Sequence, residues 1–213
     1  MRIRIVHLST KLEAVSTWED TETVSICQRL LPDRGGPVRA DARRNRDAII
    51  AAARTVFERD EQLRFDDFAT RAGVGVGTLY RHFPTREALA AAVYQGEVEA
   101  LCGQARDSAR PAGERLEVFL HTFVEYVVEH AALARTLASV VDPATQAEGG
   151  SELERTLGDL MASAVAEGAI REDATAGAVL VALHGIGSAT DRPEWAVEAR
   201  GLVELVLRGL RTR

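Results

Sequence analysis

Helical spacing of the apolar residues is the feature that most restricts the fold of this chain. From Ala40 onward, apolar side chains recur three and four residues apart, as in Ile49, Ala53 and Val56. This spacing places them along one face of an α-helix. No stretch alternates apolar and polar residues over a length that builds a sheet. The sequence therefore predicts an all-α protein.

Two segments near the C-terminus predict how the helices pack. The segment 174–189 is apolar all round, so we expect that helix to be buried on every side. The segment 194–211 carries two apolar stripes, one for the protein's own core and one for a partner subunit. The side chains expected at a dimer interface are Leu180, Trp195, Leu202, Val203, Val206 and Leu210.

A loop is predicted between Asp142-Pro143 and Gly149-Gly150, because proline and glycine interrupt helices.

Composition narrows the class of protein. The chain has 213 residues, of which 46% are hydrophobic and 27% charged, as in one globular domain or a small pair. The two cysteines, Cys27 and Cys102, exclude a disulfide framework and a CxxC zinc site. No apolar run reaches the roughly 20 residues of a membrane helix, and the first residues lack a secretory signal pattern. We therefore expect a soluble cytoplasmic protein.

The charge is unevenly distributed. The whole chain carries −6, but residues 38–87 carry +2 and residues 88–213 carry −8. A DNA-binding module within an acidic protein has this distribution, and so does a solvated, arginine-rich helix face. Residues 31–37 form a cluster of helix breakers, so we expect residues 1–37 to be a poorly ordered extension.

A tight turn between two short helices points to function. Residues 65–72 and 76–83 each have a helical pattern, and Gly73 between them suits a left-handed conformation. Leu79 on the second helix can fill the angle between the two. This is the arrangement of a helix-turn-helix unit, whose second helix enters the major groove of DNA. Thr85 is the predicted N-cap of the helix that follows.

The run that begins at Phe68, FATRAGVGVGTLYRHFPTREAL, resembles the DNA-binding signature of the TetR/AcrR family of transcriptional regulators. The resemblance covers about residues 40–95, with Gly75 where the family often has serine and Arg86 where it often has lysine. It implies a three-helix DNA-binding domain at 38–86 and a helical effector-binding and dimerisation domain at 87–213. Family members bind pseudo-palindromic operators as homodimers, and a small molecule usually releases them. The resemblance therefore implies a repressor. The sequence has no HExxH, Walker A or GxSxG motif, so we expect no catalytic residues, metal or cofactor.

Matching positions imply the DNA contacts. The first turn of the recognition helix should face base edges, while Tyr80 and His82 should bind phosphates. Arg81 suits a guanine edge or a phosphate, and Arg86 a phosphate. Tyr80 as a packed aromatic, His82 as a cap and Arg81 in solvent remain alternatives. The expected DNA-binding residues are Arg64, Val76, Gly77, Thr78, Tyr80, Arg81, His82 and Arg86.

An effector pocket is expected between the helices at 113–130, 151–167 and 174–189. Its lining would be apolar, with a tyrosine and a histidine as polar groups; the alternative is that these residues are plain core. The acidic excess of this part disfavours an anionic effector. The candidate lining residues are Phe119, Phe123, Tyr126, Leu157, Met161, Leu183 and His184.

Several other functions stay open. A helical ligand-binding protein or enzyme with a vestigial DNA-binding motif would explain why Gly75 and Val76 offer no polar side chain to DNA. Activation of transcription remains an alternative to repression. His121 and Glu125 lie one helical turn apart, as half of a metal site or, more often, as a surface pair. The glycines around Gly75 lack the GxGxxG spacing of a nucleotide loop.

Overall fold

The computed structural model of the protein describes residues 37–105, 109–187, 190 and 192–212. Within these ranges the chain forms nine α-helices and no strand, which confirms the predicted all-α class. Of the expected extension 1–37, all but Pro37 lies outside the described residues. The helices are α1 (Pro37–Glu58), α2 (Asp67–Ala72), α3 (Val76–His82), α4 (Arg86–Gln104), α5 (Ala112–Glu129), α6 (Ala131–Val140), α7 (Pro143–Ala166), α8 (Ala176–Gly187) and α9 (Trp195–Leu210).

The described helices share two hydrophobic cores. The smaller core joins α1, α2, α3 and the first half of α4, and we call residues 45–93 the head. The larger core joins the second half of α4 to α5, α7, α8 and α9, and we call residues 94–212 the body. Helix α6 packs Leu133 and Leu137 into the head's core, although it belongs to the body in sequence.

Helix α4 passes from one core to the other without interruption. Thr85 caps it as predicted, since its hydroxyl accepts a hydrogen bond of 3.1 Å from the Ala88 N–H. Leu89 and Val93 lie in the smaller core, whereas Leu101 lies in the larger one. The domain boundary expected after residue 86 therefore falls in the first turn of a continuous helix.

The loop predicted between Asp142 and Gly150 is wrong. Asp142 instead caps α7 by accepting a hydrogen bond of 3.0 Å from the Thr145 N–H, and Pro143 starts the helix. Gly149 is buried within this helix because the ring of Tyr94 lies against it. A Cβ there would stand 2.6 Å from the tyrosine ring. The glycine thus permits a close approach between helices rather than breaking one.

Burial of α8 on every side is also wrong. Val179, Leu183 and Ile186 are buried, but Val181 on the opposite face is 72% exposed. An apolar sequence shows that a helix needs cover without showing where that cover comes from.

Candidate nucleic-acid interface and ligand cavity

The turn between α2 and α3 has the geometry that the sequence indicates. Gly73 has φ +68°, in the left-handed region that favours glycine. The Val74 N–H returns to the Ala69 carbonyl at 2.9 Å, which closes the end of α2. Leu79 is fully buried under the turn and fixes α3 to the head. The outer face of α3 is consequently held at a defined angle.

The first turn of α3 is open to solvent. Gly75 precedes the helix in an extended conformation, Val76 is 44% exposed, and Gly77 is also exposed. Thr78 is half-buried. These residues present a small, mostly apolar surface, which in a major groove suits thymine methyl groups.

Tyr80 is both packed and exposed. Its ring stands edge-on to Phe65, with ring centroids 5.3 Å apart, and 47% of the residue is exposed. Its hydroxyl donates a hydrogen bond of 2.8 Å to Asp66 Oδ1. This bond to a carboxylate raises the pKa of Tyr80. The hydroxyl is thus held at the head's surface as a donor.

The basic side chains among the expected DNA-binding residues divide into two groups. Arg81 is exposed and makes no ion pair with any residue that the structure describes, and Arg64 is exposed as well. His82 is half-buried beside Phe83, with ring centroids 6.3 Å apart. Arg86 forms the second group, because its guanidinium makes contacts inside the head.

Arg86 points into the head, whereas the resemblance implies a phosphate contact for it. Its guanidinium lies 5.3 Å from the ring centroids of both Phe57 and Phe68. Its Nη1 donates a hydrogen bond of 2.9 Å to the Leu63 carbonyl. A planar guanidinium stacks on aromatic rings and still donates hydrogen bonds. Arg86 therefore joins the end of α1 to α2 rather than reaching toward DNA.

The body contains a cavity of about 500 Å³. Of the expected lining residues, Phe123, Tyr126, Leu183 and His184 contribute to it. Phe119, Leu157 and Met161 do not: they are buried in the larger core, which corrects their assignment. The lining that sequence reasoning missed comes largely from α4, α6 and the start of α7, including Tyr94, Glu97, Leu101, Leu137, Gln146 and Leu153.

A polar network connects this cavity to α1. Arg54 on α1 donates from Nε to Glu97 Oε1 at 2.7 Å and from Nη1 to Glu58 Oε2 at 3.0 Å. Tyr126 on α5 donates its hydroxyl to Glu97 Oε2, and the His130 ring is hydrogen-bonded to Glu58 Oε1. Burial and the Glu97 carboxylate raise the pKa of Tyr126, so its hydroxyl keeps the proton. The network therefore links the head to residues at the cavity wall.

Comparison with known proteins places these features in one family. Residues 49–93 match the family model described as bacterial regulatory proteins, tetR family, and residues 110–212 match the C-terminal domain of SbtR-like transcriptional regulators. A TetR transcriptional regulator from Streptomyces coelicolor is 37% identical, with a TM-score of 0.60 over 78% of this chain and 98% of that chain. A TetR transcription regulatory protein from Mycobacterium vanbaalenii is 31% identical, with a TM-score of 0.63. The match covers 83% of this chain and 100% of that chain. The chain belongs to the TetR family of transcriptional regulators.

Membership of the TetR family makes this chain a DNA-binding transcriptional regulator rather than an enzyme. An HTH-type transcriptional regulator of Staphylococcus aureus (strain MRSA252) is 29% identical over 105 residues, which are 47% of this chain and 57% of that protein. The chain thus spans little more than half the length of this curated relative. No helix in the described part of the chain is long and apolar enough to span a membrane.

The side chains expected at a TetR dimer interface are largely covered within one subunit. Leu180, Trp195, Val203 and Leu210 are buried in the larger core, so their side chains are already covered by their own subunit. Leu202 and Val206 are half-buried against the same core. The large apolar side chains that α8 and α9 leave exposed are instead Val181, Val197 and Leu205.

Proposed function

We propose that the protein is a homodimeric repressor that binds a pseudo-palindromic operator through α3 and leaves it when a small molecule enters the body. The observation that carries this proposal is the exposed face of α3, held at a fixed angle by the Gly73 turn and the buried Leu79. A recognition helix needs this combination of rigid support and free outer surface. Such a regulator acts in the cytoplasm, where the chromosome lies.

We assign the DNA contacts to side chains of the head that are exposed or half-buried. Val76, Gly77 and Thr78 face base edges. The Tyr80 hydroxyl has one proton, so it leaves Asp66 Oδ1 when it donates to a phosphate. Arg81 supplies the free positive charge of α3, and His82 binds a phosphate of the DNA backbone. Arg64 lies at the surface near the start of α2 and adds a second positive charge. Contacts to phosphate position a head, whereas contacts to base edges give it sequence preference.

Dimerisation uses the outer faces of α8 and α9. Val181, Val197 and Leu205 are 61–72% exposed, an unusual exposure for three large apolar side chains on two neighbouring helices. A second copy related by twofold symmetry would cover them with the same surface. Half-buried Leu202 and Val206 extend this surface toward the core. Two heads joined in this way would read half-sites about 34–36 Å apart.

Release by a small molecule is supported by the position of the cavity. Glu97 and Tyr126 line it and also take part in the network that holds Arg54 of α1. A molecule that disturbs these two residues would therefore change how α1 is held. Loosening the head would weaken operator binding, and for a repressor this loss of binding would start transcription.

Genome fragments retained by the purified full chain at moderate salt, once sequenced, test the proposal. We expect enrichment of a pseudo-palindromic site, and loss of that enrichment with Arg81→Ala. Arg155→Ala is the matched control, because Arg155 is an exposed arginine on α7 and should leave DNA binding unchanged. Absence of enrichment even at low salt would favour the second candidate, a helical ligand-binding protein whose DNA-binding motif is vestigial. Reporter transcription from the recovered site then separates repression from activation.

A further inference from the structure

The described residues that line the cavity include one carboxylate, Glu97. Its side chain is only 15% exposed, and its surroundings are mainly apolar, with rings from Tyr94, Phe123 and Tyr126. The basic residues of the lining, Arg135 and His184, are exposed to solvent, and Arg135 carries a positive charge. The cavity therefore has a carboxylate in its interior, which Arg54 pairs from outside the lining, whereas the cation of the lining, Arg135, lies where water screens it.

Glu97 has capacity for a further donor. One of its oxygens accepts from Arg54 and the other from Tyr126. A carboxylate has about four acceptor positions, so roughly two remain at which a ligand can first bind before it displaces Arg54. A donor that also carries positive charge makes the stronger hydrogen bond to such a group.

Arg54 has an alternative partner. It is bonded to Glu58, one turn later on the same helix, as well as to Glu97. Losing Glu97 would therefore leave the guanidinium paired, which lowers the cost of separating α1 from α4. The bond to Glu97 joins α1 to α4, whereas the bond to Glu58 lies within α1.

We propose that the cavity binds an apolar molecule that carries an amine, whose ammonium group takes Glu97 in place of Arg54. The proposal rests on the proposed function, since it names the chemical class of the effector. The apolar part of the ligand lies against the aromatic and aliphatic lining, and the ammonium lies at Glu97 and the Tyr126 hydroxyl oxygen. Binding then frees Arg54 and loosens α1, the first helix of the head.

Three probes that share one phenylbutyl chain test the class of ligand: 4-phenylbutylamine, 4-phenylbutan-1-ol and 5-phenylpentanoate. Their affinities for the full chain are measured by calorimetry. We expect the amine to bind about tenfold more tightly than the alcohol, and the carboxylate to bind more weakly than either. The comparison is made on the native protein, so it does not depend on the folding of any variant.

Variants at three positions test the role of Glu97 and its competition with Arg54. Glu97→Gln should bring the amine and the alcohol to within about twofold of each other. Glu99→Gln is the matched control, because Glu99 is an exposed residue of the same helix outside the cavity lining, and it should keep the preference. Arg54→Met should raise the affinity for the amine several-fold while leaving that for the alcohol unchanged.

Equal affinities for amine and alcohol, or no binding of any probe at millimolar concentration, would overturn the proposed ligand class. An unchanged amine affinity in Arg54→Met would overturn the competition. Operator binding is measured separately by fluorescence anisotropy. Operator binding without amine preference would leave the proposed function intact, whereas amine preference without operator binding would remove that function and retain the ligand class.

Discussion

The head and the body reach their functional surfaces by different routes. In the head, residues adjacent in sequence make the surface: Gly73, Leu79 and the first turn of α3 lie within one short segment. In the body, the cavity is lined by residues from α4, α5, α6, α7 and α8. A local motif is consequently sufficient to recognise the head, whereas the cavity depends on how distant helices pack.

The largest expected effect is on the support of α3. Leu79→Ala should lower the free energy of unfolding by about 3 kcal/mol, because it leaves a void beneath the turn of the head. Val76→Ala is the control on the same helix, and its exposed side chain should change stability by less than about 0.5 kcal/mol. Chemical denaturation measures both. Equal effects would show that the head does not depend on this anchor.

The second largest effect is expected where α4 and α7 approach each other closely, at Gly149. Gly149→Ala should destabilise the protein by about 2 kcal/mol, because the added Cβ meets the Tyr94 ring. Gly150→Ala has open space around the new methyl group and should be neutral or stabilising by up to about 1 kcal/mol. Thermal unfolding of the two variants makes the comparison. A destabilised Gly150→Ala of similar size would point to loss of a break in the helix instead of a clash.

Two arginines of the DNA-binding motif should behave in opposite ways. Arg81→Ala should weaken operator binding at least tenfold and reduce the salt slope of the dimer by about two, one for each subunit, with stability unchanged. Arg86→Met should keep the salt slope but lower stability by about 1–2 kcal/mol, because the guanidinium leaves Phe57, Phe68 and the Leu63 carbonyl. Anisotropy titrations at several salt concentrations and denaturation curves decide between them. A reduced salt slope in Arg86→Met would restore the phosphate contact that the resemblance implies.

The smallest effect concerns the network between α1 and α5. The hydrogen bond from His130 and the charge of Arg54 hold the pKa of Glu58 below its ordinary value of 4.5. The folded state therefore favours the ionised carboxylate, and this stabilisation is present above the unfolded pKa and lost as pH falls through the folded one. Because Glu58 is partly exposed, we expect at most about 1 kcal/mol. The difference in stability between the native chain and Glu58→Gln should shrink on acidification below about pH 4.5; a constant difference would exclude the ionised pair as its source.

Sequence reasoning succeeded where one segment contains all the determinants. The turn at Gly73, the buried Leu79 and the Thr85 cap each follow from local patterns that the structure confirms. It failed where a residue's role depends on a distant neighbour. The sequence predicts a helix break at Gly149, but in the structure this glycine makes room for the ring of Tyr94. The sequence likewise predicts a surface cation at Arg86, but its guanidinium lies against two phenylalanine rings.

The sequence by itself determined the helical class, the helix-turn-helix unit and the family, because periodicity and turn chemistry act over a few residues. Only the tertiary structure decided which residues line the cavity and which apolar faces stay uncovered. Glu97 is an ordinary helical glutamate in the sequence, and it becomes the charge of the cavity wall because α1 and α5 bring Arg54 and Tyr126 to it. Val181 and Val203 are equally apolar, yet one is exposed and the other buried, because packing between helices sets burial at each position.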